Sequence, residues 1–130
     1  MSKKIKILII DDEESILQMF AQKFEKENFE VFTKSDPLQG ILEASQKKPD
    51  VVLLDIMMPE MDGFETLSAF RQSTSLETII IVFSNIGGQN LSNIEKAMKL
   101  GADEYLVKSD YTPSQVVKKV NEILESKKTS

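Results

Sequence analysis

Five short stretches rich in β-branched and other apolar residues punctuate the chain, and between them apolar positions recur at helical spacing. The stretches cover residues 5–10, 29–33, 51–55, 78–83 and 104–107. Each is too short for a helix of usual length, and Val51-Val52-Leu53-Leu54 reads as a strand buried on both faces. Ile16, Leu17, Phe20 and Phe24 predict a first helix, with Asp12, Glu13 and Glu14 at its start, where acidic groups suit the helix dipole. Asp36 as N-cap, Pro37 at N1 and Gln39 at N3 open a second helix striped by Leu38, Ile41 and Leu42, and 47–50 (Lys-Lys-Pro-Asp) closes it. Met58-Pro59 and Met61-Asp62-Gly63 turn the chain into a third, which buries Phe64, Leu67 and Phe70. After a glycine-bearing loop over 85–90, a fourth carries Leu91, Ile94 and Met98 on one face, with Lys99 in its last turn and Gly101 as its C′ residue. Thr112-Pro113-Ser114-Gln115 is a capping box for the last helix, striped by Val116, Val117, Val120, Ile123 and Leu124, with 126–130 expected to fray.

Strands alternating with helices predict an α/β fold, a five-stranded parallel sheet with helices on both faces and right-handed crossovers. A chain of 130 residues suffices for one domain, read as 1–130 with a core of about 5–125 and no output domain. Hydrophobic residues make up 41% and charged residues 28%, as in an ordinary globular protein. The net charge of -5 argues against nucleic acid or an anionic membrane as a direct partner. Lys3, Lys4 and Lys6 before an apolar run imitate the start of a signal peptide, but Asp11-Asp12-Glu13-Glu14 cuts that run off. No stretch approaches the roughly 20 apolar residues of a membrane helix, and a cytoplasmic location is expected. The absence of Cys and His removes disulfides, thiol nucleophiles, imidazole bases and soft-metal sites. Any metal has to be held by oxygen, which points to magnesium, manganese or calcium.

The strand ends carry the chemistry. The first strand runs into Asp11 and Asp12, the third into Asp55, the fourth into Ser84 and the fifth into Lys108. A parallel sheet brings these ends to one edge, where open α/β folds bind ligands. Taken singly, each residue has an ordinary explanation as a cap, turn or solvated charge. Together they assemble three carboxylates, a hydroxyl and an ammonium, which no apolar core requires. Close carboxylates repel unless a cation joins them. Magnesium binds through one or two carboxylates plus phosphate oxygens, and a lysine grips phosphoryl oxygens as a compact charge. Asp55, on the central strand, is placed to act as the nucleophile that forms an aspartyl-phosphate.

The acidic pair Asp11-Asp12, the segment from Leu54 through Asp55 to Gly63, Ser84, Lys108 and the run Gly101-Ala102-Asp103-Glu104-Tyr105 together resemble the receiver domain of two-component response regulators, the CheY-like family. That resemblance implies the flavodoxin-like strand order 2-1-3-4-5, for which CheY is a type example. It implies that Asp55 accepts phosphate from the phosphohistidine of a sensor histidine kinase or a histidine phosphotransfer protein. Asp12, Asp55 and the Met57 backbone carbonyl would bind Mg²⁺, or Mn²⁺ in its place, with Asp11 acting through water. Ser84 and Tyr105 would be a switch pair that remodels the face of the fourth helix, fifth strand and fifth helix for a downstream protein. That face also carries Lys96, Lys99, Lys118 and Lys119, and a monomer or a phosphorylation-dependent dimer is compatible with it. Two positions depart from the family pattern. Ser109 replaces the usual proline after the lysine, so a trans Lys108–Ser109 bond is expected, since a cis bond there costs about 2.5–4 kcal/mol. Asn85 replaces a very small residue and is expected to crowd the phosphoryl group. Met57 and Ile86, apolar and flanking the site, are expected to restrict attacking water.

A stand-alone receiver would modify and dephosphorylate only itself, and so would not be an enzyme in the ordinary sense. It would act by docking or by passing phosphate on. A receiver-like scaffold independent of phosphorylation is the alternative. A magnesium phosphohydrolase of the haloacid dehalogenase type would need an aspartate where Met57 stands. A flavodoxin-type cofactor protein would need a phosphate-cradling loop where 11–14 are all acidic.

Overall fold

Side chains alternate along each central strand between two apolar clusters, one on either face of the sheet. The computed structural model describes residues 4–57, 62–85 and 91–129. The expected turns at Met58-Pro59 and Met61, and Ile86 to Asn90 of the flexible-looking loop, lie outside them. In chain order the elements are β1 (Ile5–Ile10), α1 (Glu14–Lys26), β2 (Phe29–Lys34), α2 (Pro37–Lys47), β3 (Val51–Leu54), α3 (Gly63–Ser73), β4 (Ile79–Ser84), α4 (Leu91–Lys99), β5 (Glu104–Val107), a 3₁₀ turn (Lys108–Asp110) and α5 (Pro113–Thr129). The strands are all parallel in the order β2-β1-β3-β4-β5. No described helix is long and apolar enough to cross a membrane.

Ile7, Ile9, Val51, Leu53, Ile79, Ile81 and Phe83 join Leu17, Phe20 and Phe24 of α1 and Val116, Val117 and Val120 of α5 in one cluster. Leu8, Ile10, Val52, Leu54, Ile80 and Val82 join Ala44 of α2, Leu67 and Phe70 of α3 and Ala97 of α4 in the other. The two-residue period of a strand produces this division. Phe83 meets Phe20 edge to face, with ring centroids 5.5 Å apart, a contact worth about 0.5–1.5 kcal/mol beyond its buried area. That packing anchors β4 immediately before Ser84.

The caps follow the local sequence. Asp36 accepts a hydrogen bond from the Leu38 N–H at 3.0 Å. Asp62 accepts from the Phe64 N–H at 2.9 Å. In the capping box, Gln115 N–H donates to Thr112 Oγ1 at 3.3 Å and Thr112 N–H donates to Gln115 Oε1 at 2.8 Å. At the end of α4, the Ala102 N–H reaches the Ala97 carbonyl and the Gly101 N–H reaches the Met98 carbonyl, with Gly101 at φ +116°. This is the Schellman closure its sequence anticipates.

Other details differ from the sequence pattern. On α2 the buried residues are Pro37, Gly40 and Ala44, while Leu38 and Leu42 are 64% and 57% exposed and Ile41 is half-buried. The helix lies close against the sheet: a Cβ on Gly40 would collide with Ile10 and stand 3.1 Å from Phe70. Small residues permit that approach, and leucines cannot occupy the same face. On α4 the buried residue is Ala97, with Ile94 half-buried and Met98 exposed; the Leu91 side chain lies outside the described set. Phe64 is half-buried, and β3 closes at Leu54, one residue short of Asp55. The α5 helix continues to Thr129 where fraying from 126 was expected, and Lys127 reaches Asp103 at 3.2 Å.

At the edge of the sheet opposite the strand ends that carry the acids, Arg71 ties three elements together. Its guanidinium donates to the carbonyls of Gly101 at 3.1 Å and Thr78 at 2.8 Å, and to Asp103 at 3.3 Å. Asp103 in turn accepts from the Ile80 N–H at 2.8 Å. A Cβ on Gly101 would run into the Arg71 side chain, and the positive φ disfavours any L-residue. Gly101→Ala is therefore expected to destabilise the fold by about 1–3 kcal/mol, read as a lower urea midpoint with an unchanged slope.

Candidate functional site

Register places the polar strand ends at one level. Ile10 pairs with Leu54, Leu54 with Val82, and Ser84 with Val107. The residues that follow are Asp11 beyond β1, Asp55 beyond β3 and Lys108 beyond β5, while Ser84 is the last residue of β4. The Asp55 N–H donates to the Ile10 carbonyl at 3.0 Å, which carries the ladder one step past the end of β3.

Asp11, Asp55 and Ser84 are buried, at 2%, 4% and 0% exposure, and Asp12 is exposed. Each buried carboxylate is held in the same way. One oxygen of Asp11 accepts from the Glu13 N–H at 3.0 Å, and one oxygen of Asp55 accepts from the Met57 N–H at 2.8 Å. Their other oxygens share the Lys108 ammonium, 2.5 Å from Asp11 Oδ2 and 3.0 Å from Asp55 Oδ2. Oxygen atoms of Asp11, Asp12 and Asp55 all lie within 4.8 Å of one another. With all three ionised, one ammonium leaves two negative charges over. An all-oxygen donor set with that surplus fits a hard divalent cation, as receiver domains generally bind in their acidic pockets.

The electrostatics follow from this crowding. Burial raises the Asp11 pKa, Asp55's charge adds to the rise, and the Lys108 and Glu13 hydrogen bonds only partly oppose it. Burial alone would lower the Lys108 pKa, but its bonds to Asp11 and Asp55 outweigh burial and hold it above the usual lysine value. The Tyr105 phenol is raised by burial first and by the Asp55 charge second. That ring is half-buried against the cluster under α2, α3 and α4, and its residue pairs with Val82.

The remaining sequence candidates are placed as follows. Met57 is 54% exposed. The Asn85 side chain does not stand free at the site, because its Oδ1 accepts the Ser109 N–H at 3.0 Å. The Lys108–Ser109 bond is trans, with no cis peptide among the described residues. Ile86 lies outside them. Lys96, Lys99 and Lys118 are exposed and Lys119 is half-buried, with the Lys96 ammonium 4.5 Å from the centroid of the Phe64 ring. Sequence reasoning missed two features: the Asn85–Ser109 bridge, and the Phe83 ring 5.9 Å from the Lys108 ammonium. Side-chain direction decides both, and no local pattern encodes it.

A raised Asp11 pKa means that the folded state binds this proton more tightly than the unfolded chain does. Stability without metal therefore falls as pH rises through the interval between the unfolded and folded Asp11 values. The Lys108 contribution has the same sign at higher pH: full below the unfolded lysine value, lost as pH rises through the folded one. In chelator at neutral pH, Asp11→Asn is expected to raise the urea midpoint and to flatten the weakly acidic part of the stability–pH profile.

Known proteins share this fold. Residues 7–121 match the family profile of the response regulator receiver domain. The chain is 33% identical over 119 residues to the alkaline phosphatase synthesis transcriptional regulatory protein PhoP of Bacillus subtilis, covering 92% of this chain and 48% of that protein. It is 31% identical over 118 residues to the transcriptional regulatory protein SrrA of Staphylococcus aureus, covering 91% and 47%. The chain thus spans about half the length of these curated relatives. Among solved structures, a CheY-like response regulator receiver domain protein of Methanospirillum hungatei superposes with a TM-score of 0.86 at 27% identity, covering 98% of both chains. The chemotaxis protein CheY4 of Vibrio cholerae superposes with a TM-score of 0.82 at 29% identity, covering 92% of this chain and 98% of that one. The acidic pocket with its bridging lysine, the strand order and the match over 7–121 agree: this chain belongs to the response regulator receiver domain family.

Proposed function

We propose that this chain is a phosphorylation-controlled switch in which Asp55 accepts a phosphoryl group from the phosphohistidine of a sensor kinase or a phosphotransfer protein. The observation that carries this reading is the Lys108 ammonium shared between Asp55 and Asp11. An Asp55 oxygen attacks phosphorus, the P–O bond forms, and the P–N bond to the donor imidazole breaks. The product is an acyl phosphate, and the donor returns as imidazole. Lys108 holds the carboxylate at rest and then pairs with a phosphoryl oxygen, so its positive charge stays in place throughout. Asp11, Asp12 and Asp55, with the Met57 carbonyl, would hold magnesium, or manganese in its place. That ion supplies the charge that offsets the phosphoryl oxygens when bound.

Ser84 turns its hydroxyl to the phosphoryl group, and the Tyr105 ring follows. The face of α4, β5 and α5 changes with them and engages a downstream protein. Chemistry on this chain is limited to its own phosphorylation and dephosphorylation.

Intact mass after incubation with acetyl phosphate and magnesium tests this reading. A single phosphoryl adduct is expected, absent from Asp55→Asn and from a chelated sample. No adduct on the native chain, under conditions that label another receiver, contradicts it. Because Met57 is an exposed apolar residue two positions past Asp55, Met57→Asn is expected to shorten the phosphoryl half-life several-fold, while Met57→Leu leaves it near native. Ser84→Ala is expected to take up phosphoryl yet lose the change in Tyr105 fluorescence or ring resonances that accompanies it.

A further inference from the structure

The bridge between Asn85 and Ser109 joins the two strand ends that carry Ser84 and Lys108. Ser84 and Val107 are register partners at the close of β4 and β5. Beyond them the two chains part. Asn85 opens one loop, and Lys108 opens the 3₁₀ turn of the other. Asn85 Oδ1 spans the gap and accepts the Ser109 N–H at 3.0 Å. The turn is closed on its far side by the Tyr111 N–H on the Lys108 carbonyl at 3.3 Å. Lys108 is therefore rooted in a short turn that is pinned at the next peptide by a side chain from the neighbouring strand end.

The root matters because of what the tip has to do. In the order β1-β3-β4-β5, Lys108 must serve Asp55 two strands away and Asp11 three strands away. Two strand spacings are roughly 10 Å, so the lysine has to reach past the end of β4 to meet the aspartates. A displacement of about 1 Å at a charged group of this kind can lower a rate by up to about 100-fold. The N–H that Asn85 holds exists only because residue 109 is not proline. The two positions at which this chain departs from the receiver pattern are thus bonded to each other.

We propose that Asn85 is a positioning residue for Lys108: its amide oxygen fixes the Ser109 peptide, and with it the turn from which the ammonium reaches Asp55 and Asp11. The inference rests on the reading of Asp55 as phosphoacceptor. It also changes the role expected of Asn85. The amide oxygen is engaged with the lysine turn, so the residue acts through Lys108 instead of by obstructing the phosphoryl group. Since Asn85 follows Ser84 directly, the end of β4 that carries the hydroxyl and the turn that carries the ammonium are tied by one side chain.

The test pairs amide hydrogen exchange with phosphorylation kinetics on the full chain, using acetyl phosphate and saturating magnesium. The Ser109 amide is expected to be protected in the native protein and in Asn85→Asp, which keeps an acceptor oxygen, and to exchange freely in Asn85→Ala. The Asn85→Ala substitution is expected to slow phosphorylation by roughly threefold to tenfold, and Ser109→Ala, which keeps the N–H, to leave the rate native. In a Ser109→Pro background there is no N–H to hold, and Asn85→Ala is expected to cause no further loss. An equal loss in both backgrounds, an unprotected Ser109 amide in the native chain, or protection without any effect on rate each overturns the proposal. Native protein that takes up no phosphoryl removes the underlying reading instead, and Ser109 exchange still decides whether the bridge stands.

Discussion

Carboxylates gathered at the mouth of a parallel sheet repel one another, and here a single ammonium holds two of them in place. Lys108 reaches Asp11 and Asp55 from the far side of β4. The cost of burying these charges is visible in the raised pKa of Asp11. Removing the ammonium would strand both carboxylates in a poorly solvated site. A divalent cation held by Asp11, Asp12 and Asp55 would relieve that crowding. That relief gives a binding event leverage over the local structure.

The fold delivers this leverage by keeping the rest of the molecule stiff. Apolar clusters on both sheet faces fix the strands, and Phe83 packs against Phe20 just before Ser84. At the opposite edge Arg71 binds the end of α3, the turn after α4 and the start of β4 into one unit. Under the proposed switch, motion prompted at the strand ends would therefore pass to the loops and helices beside them, and away from the base of the sheet. Tyr105 sits on the strand between these two regions, half-buried and within electrostatic reach of Asp55.

The strands, their order by family resemblance and most caps were legible because each depends on a short-range signal. The capping box at Thr112 and Gln115, the Asp36 cap and the Gly101 closure all involve residues a few positions apart. Asp11, Asp12, Asp55 and Lys108 were legible as a group because a parallel sheet turns strand ends into neighbours. The buried face of α2 was not, since Gly40 and Ala44 carry little apolar signal and the larger Leu38 and Leu42 carry more. The Arg71 hub and the Asn85–Ser109 bridge were not legible either. Both join distant parts of the chain through the direction of one polar side chain, which no periodicity records.

The measurement that reaches the central claim most directly locates the phosphoryl group within the cluster. Reducing the phosphorylated protein with borohydride converts an acyl-phosphate aspartate to homoserine, which peptide mapping can assign to one position. The account predicts homoserine at position 55 alone. Homoserine at position 11 or 12, or an adduct that survives borohydride unreduced, would contradict it.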